Sequence, residues 1–141
     1  MKKVFAMIMA AMMLMAMFAG CQSGESSDAN VIKVGTSGPL QGDYAVYGVA
    51  VKNGLELAFE EINALGGLQF AVNGQDDEAD SEKAVNAYNT LMDWGMQIMA
   101  GPTTSGSAAA AAAECAKDNV FMITPSASDP AVLAAGANIY Q

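Results

Sequence analysis

Histidine and arginine are both missing from the 141 residues, and each gap closes off chemistry. Without histidine the chain lacks the commonest proton shuttle and zinc ligand, and a serine–histidine nucleophile pair is impossible within it. Six lysines stand against fifteen acidic residues, a formal net charge of −9. No basic stripe exists for phosphate-backbone contacts, so no nucleic-acid partner is expected. Long spanning-type apolar runs are also lacking: residues 4–18 are unbroken apolar but fall short of the ~20 needed to cross a bilayer. Cysteines number only two, Cys21 and Cys115.

The early apolar run has a use. Lys2 and Lys3 precede it and small residues follow, the layout of a signal h-region. Phe18-Ala19-Gly20-Cys21 then resembles a bacterial lipoprotein signal, in which the cysteine is lipidated and becomes the first residue after cleavage. The resemblance implies a signal peptide over 1–20, lipidation at Cys21 and a polar tether over 21–30. Acyl chains at ~0.8 kcal/mol per buried methylene would hold such a protein at the membrane. With Cys21 acylated, Cys115 has no disulfide partner; among alanines at helical spacing it reads as a small buried hydrophobe. Removing residues 1–20 takes two lysines away and leaves a net charge of −11.

The rest, residues 31–141, alternates strand and helix patterns. A β-branched run at 31–36 leads into the loop Ser37-Gly38-Pro39-Leu40-Gln41-Gly42-Asp43. From about Tyr47 the period changes to helical, with Leu55, Ala58, Phe59, Ile62 and Leu65 on one face and Gly66-Gly67 as a left-handed stop. Residues 68–72 form a weak second strand. A helix then carries Ala84, Val85, Tyr88, Leu91 and Met92, capped by Asp80, favoured by Glu82 in its first turn and closed at Gly95, with Trp94 packing near its end. Residues 96–100 form a third strand, 108–116 an alanine-rich helix and 120–124 a fourth strand. A short helix at 131–135 precedes the start of another strand at Ile139-Tyr140. Strands alternating with helices over short links predict an α/β fold, a doubly wound parallel sheet.

Three hydroxyl-bearing loops follow the carboxyl ends of strands one, three and four. In such sheets ligands bind at those ends, where the winding direction reverses. If strands two and three flank strand one, the reversal lies between strands one and three. The stretch Gly101-Pro102-Thr103-Thr104-Ser105-Gly106-Ser107 then opens a helix whose first N–H groups and dipole suit a carboxylate; alternatively Ser105 is an N-cap.

Metal and enzyme motifs fail their spacing tests. Asp76, Glu78 and Asp80 alternate as calcium ligands do, but Ser81 stands where the sharp-turn glycine belongs and Ala87 where the bidentate glutamate belongs. The carboxylates of the cluster Asp76-Asp77-Glu78-Ala79-Asp80 are expected to be solvated, and no metal or other cofactor is expected. Gly101 and Gly106 have phosphate-loop spacing, yet Ser107 replaces the essential lysine; Thr103 replaces the first glycine of a nucleophile elbow around Ser105. An enzyme is not expected.

The combination Ser37-Gly38-Pro39, Tyr47-Gly48, Asn53-Gly54, Glu61-Ile62-Asn63-Ala64-Leu65-Gly66-Gly67, Asp76-Asp77, Lys83-Ala84-Val85, Gly101-Pro102 with Ser105, and Thr124-Pro125-Ser126-Ala127-Ser128-Asp129-Pro130 resembles extracellular solute-binding proteins of the branched-chain amino acid transport family. The resemblance implies the N-terminal lobe of a periplasmic-binding-protein type I fold, residues 31–141, with the second lobe missing. It implies a substrate-binding lipoprotein of an ABC importer, tethered outside the cytoplasm, that captures an amino acid or small carboxylate and delivers it to permease subunits. Ser105, with backbone and hydroxyl groups at Ser126, Ala127 and Ser128, would hold the ligand carboxylate, while Thr104 lines the site and Tyr47 packs near it. A sensor ectodomain of the same fold is the alternative the resemblance leaves open.

Overall fold

The computed structural model describes residues 30–141; the expected signal peptide, Cys21 and nearly all of the expected tether lie outside the described residues. Five strands, β1 (Val31–Gly38), β2 (Gln69–Asp76), β3 (Ile98–Ala100), β4 (Phe121–Ile123) and β5 (Ile139–Tyr140), form one sheet in the order β2-β1-β3-β4-β5. Every pairing is parallel. The predicted reversal is therefore present, with β2 and β3 on opposite sides of β1. Helices α1 (Ala45–Ala64), α2 (Ser81–Trp94) and α3 (Ser105–Lys117) make the crossovers, and the short helix expected before β5 is a 3₁₀ helix (Pro130–Ala135).

Helix ends follow local chemistry. Asp80 caps α2 by accepting from the Lys83 N–H at 2.9 Å, and Gly95 closes it at φ 92°. After α1, Gly66 takes φ 78° in the same left-handed region, which a residue without a Cβ enters at little cost. At the other end of α1, Gly48 is buried against the loop after β1: a Cβ there would lie 2.1 Å from the Pro39 carbonyl oxygen.

Strand periodicity assigns the two faces. A Cβ on Gly38 would meet Gly48 of α1, whereas one on Gly35 would meet Leu91 of α2 and Met96. Residues of β1 at even numbers therefore face α1, and odd ones face α2. The core lies on the α2 side, where Tyr88, Leu91, Met99 and Met122 pack with Ala108, Ala111, Ala112 and Cys115 of α3. Alanines let α3 approach closely. Cys115 is fully buried, and burial together with Asp118 and Glu114 pushes its thiol up to about 12, as befits a hydrophobe and not a nucleophile. Trp94 packs against the edge of this core, with the Lys33 ammonium 5.5 Å above its ring.

The α1 side is less complete. Phe59 stacks on Phe70 of β2 at 4.7 Å, and Leu55 is half-buried, but Ala58, Ile62 and Leu65 from the same predicted stripe are exposed, Leu65 by 86%. Register places Ile98, Phe121, Ile123 and Tyr140 on that side too, and the last three are 43%, 44% and 49% exposed. Among the described residues no helix is long and apolar enough to cross a membrane.

Candidate functional site

The carboxyl ends of β1, β3 and β4 meet at the reversal, and hydroxyl groups stitch the loops that leave them. Ser37, in β1, takes two bonds on its carbonyl from Thr103, one from the N–H at 3.1 Å and one from Oγ1 at 3.3 Å. Thr124, just after β4, donates to the Pro102 carbonyl at 2.7 Å and accepts from the Ala127 N–H at 3.1 Å. The Ser128 N–H then reaches Ser105 Oγ at 3.3 Å, so the loops after β3 and β4 close on each other. Each loop is fixed to its neighbour by a bond that a nonpolar residue could not make.

Helix α3 opens in the middle of this rim. Its N-cap is Thr104, not Ser105, and no side chain caps its first N–H groups. Thr104 Oγ1 is buried without a hydrogen-bond partner. Uncapped N–H groups, the helix dipole and idle hydroxyls together form an acceptor for negative charge. Ser105 Oγ, accepting from Ser128, keeps its own proton to donate.

Of the residues expected at the site, Thr104, Ser105, Ala127 and Ser128 are brought together. Ala127 is buried beneath the loop, with its carbonyl accepting from Gln141 at 2.6 Å, while Ser126 is exposed at the tip. Tyr47 stands on the first turn of α1 and is 57% exposed. Its neighbour Gly48 abuts Gly38, and Gly38 abuts Thr103, so that turn flanks the rim without a hydrogen bond to Ser105. Cys21 lies outside the described residues.

The acidic run is not uniformly solvated, which corrects the expectation for Asp76 and Asp77. Asp76 accepts from the Leu40 and Glu78 N–H groups and from Gln41. Partial burial would raise its pKa, but these bonds and the Lys83 charge outweigh it and hold the carboxyl below its ordinary value. Asp77 is 0% exposed, accepting from Ser37 Oγ at 2.9 Å and the Ala79 N–H at 2.9 Å. Burial dominates there and pushes the carboxyl up, against the pull of Ala79, Ser37 and Ser107. Among the described residues no group of three or more acidic or cysteine side chains is arranged to hold a metal ion. Ser37, Thr103, Thr124 and Asp77 stand in the loops and motifs named from the sequence but were expected to have no role at the site; the signal for one was a hydroxyl or carboxyl at or just past a strand's carboxyl end.

Comparison with known proteins agrees with this geometry. A periplasmic binding protein family profile matches residues 31–140. The Leu/Ile/Val-binding protein BraC3 of Rhizobium johnstonii is 36% identical over 102 residues, 70% of this chain and 28% of that protein. The leucine-, isoleucine-, valine-, threonine- and alanine-binding protein of Pseudomonas aeruginosa is 34% identical over 114 residues, 79% of this chain and 31% of that one. Among solved structures, the branched-chain amino acid transporter substrate-binding protein LivJ of Streptococcus pneumoniae, in complex with isoleucine, superposes with a TM-score of 0.71 at 33% identity, covering 77% of this chain and 32% of that one. The chain thus spans about 30% of the length of the curated relatives it matches. With a parallel sheet wound in this order and the match running from β1 to β5, the chain belongs to the periplasmic binding protein family, of the branched-chain amino acid type.

Proposed function

We propose that this chain is the first lobe of a substrate-binding protein of an ABC importer, and that its rim takes the carboxylate of an amino acid or a related small acid. Thr104 and Ser105 donate their hydroxyl protons to the carboxylate, and the first N–H groups of α3 complete its shell. Ser126, Ala127 and Ser128 supply backbone and hydroxyl groups from the facing loop, and Tyr47 packs over the ligand. The observation that carries this reading is the closed Ser105–Ser128 contact at a helix N-terminus that no side chain caps. The names of the Rhizobium and Pseudomonas relatives, and the isoleucine in the Streptococcus structure, support a branched-chain amino acid as the first ligand to try. Those relatives are binding proteins, in keeping with a site that has no nucleophile–base pair. In the longer protein a second lobe closes on the ligand, lipid on Cys21 tethers the assembly outside the cytoplasm, and permease subunits receive the cargo.

One lobe alone should bind weakly. Roughly three charge-assisted hydrogen bonds contribute ~5–9 kcal/mol gross, against ~4–15 kcal/mol for lost translational and rotational freedom. Titration of the 141-residue chain with leucine, isoleucine or valine should therefore move amide resonances at 104–107 and 126–128, at roughly millimolar ligand, and give no tight calorimetric isotherm. Shifts confined to other residues would sink the assignment of the rim. A sub-micromolar constant would defeat the half-site account.

A further inference from the structure

Asp77 is a buried carboxyl that the proposed ligand contacts do not use. It follows β2, yet both side chains that address it belong elsewhere: Ser37 at the end of β1 donates to Oδ2, and Ser107, the third residue of α3, faces it. Ser107 Oγ is fully buried and makes no hydrogen bond. An apolar residue at 77 would leave Ser37 Oγ and the Ala79 N–H without an acceptor in a dry setting, so the cost of burying the carboxylate is offset in part by the two donors it satisfies. Ser37 also holds Thr103 through its carbonyl. The segment between those two anchors, Thr103 to Ser107, is the one that presents Ser105.

We propose that Asp77 is a positioning residue for the acid-binding rim: tied to Ser37 and Ala79 and faced by Ser107, its carboxylate sets where the first turn of α3, and with it Ser105, stands against the loop after β1. This rests on the reading of Ser105 as a ligand contact, but Asp77 acts through Ser37 and Ser107 and touches no ligand itself. A single carboxyl is the node at which β1, β2 and α3 meet.

The Ser128 N–H bonded to Ser105 Oγ reports the position of that turn without any ligand. Amide hydrogen exchange in the full 141-residue chain should show Ser128 exchanging about tenfold faster in Asp77→Ala, with Leu91 and Tyr88 unchanged. Asp77→Asn keeps the shape and a carbonyl oxygen for the Ala79 N–H, and should restore Ser128 to within about threefold of the unaltered chain. A Ser128 rate in Asp77→Ala within about twofold of the unaltered chain overturns the proposal, as does an asparagine variant no better than the alanine one. If Asp77→Ala does not fold, Ser37→Ala removes one hydrogen-bonded partner only and keeps the carbonyl that holds Thr103; faster exchange at Ser128 with Leu91 unchanged supports the proposal, and no change at Ser128 overturns it. If leucine shifts no amide at Ser105 or Ser128 in the unaltered chain, the ligand reading falls, and the exchange rates alone decide whether Asp77 positions the turn.

Discussion

Strands β2 and β1 lie between α1 on one face and α2 on the other, whereas β3, β4 and β5 are covered from the α3 side and leave Phe121, Ile123 and Tyr140 about half exposed on the α1 side. Parallel sheets normally have both faces covered, so the strip of Ile98, Phe121, Ile123 and Tyr140 is unusual for an isolated fold. The rim shows no such asymmetry. Ser37, Thr103, Thr124, Ser105 and Ser128 link the loops across both halves. Ordering the strand ends and covering the sheet are thus separate problems: bonds only one loop long accomplish the first, and the second needs large apolar area.

Substitutions that strike one half or the other should break or sharpen this contrast. Leu91→Ala, in the fully buried covered half, is expected to cost ~2–5 kcal/mol, read from urea unfolding. A loss under ~1 kcal/mol would mean the core on the α2 side does not carry the fold.

Acidity gives a second, smaller test. Asp77 has a folded pKa raised above 3.8, so its contribution to stability is full below that value and lost as pH rises through the folded pKa. Asp76 is lowered, so its contribution is present above 3.8 and lost as pH falls through its folded pKa. Unfolding midpoints from pH 3 to 7 should accordingly show Asp77→Asn gaining on the unaltered chain as pH rises, and Asp76→Asn losing; constant offsets would contradict both assignments.

The smallest effect belongs to the bare strip. Phe121→Ser, at a position stacked only on Tyr140, should change stability by no more than ~0.5 kcal/mol. A cost matching that of Leu91→Ala would show that the strip is covered in solution and that the contrast between the halves is wrong.

Much of this arrangement is legible in the residues. Asp80 and Gly95 bracket α2 because a side-chain acceptor and a left-handed glycine are local signals that no distant partner has to supply. Parallel pairing follows from the alternation of elements over short crossovers, whereas the strand order is a condition that only the sheet itself supplies. Asp77 was opaque for a physical reason. In a run of carboxylates every residue looks solvated, and only the pairing of Asp76 with Gly38 shows that the next side chain turns the other way, inward. The stitches were hidden likewise: Thr103, Thr124 and Ser37 are ordinary loop residues until the sheet decides which loops are neighbours. For α1, period alone implied a buried stripe through Leu65, but a stripe records what a helix could bury and not what is there to bury it.

Gly48 and Gly54 occupy the same helix with opposite prospects. Any methyl at Gly48 collides with the Pro39 carbonyl and levers the first turn, Tyr47 included, off the strand beneath it, while a methyl at Gly54 meets nothing within 4 Å and raises helix propensity. Within this lobe, then, a side chain at the first position is barred by the backbone itself, and one at the second meets no such bar.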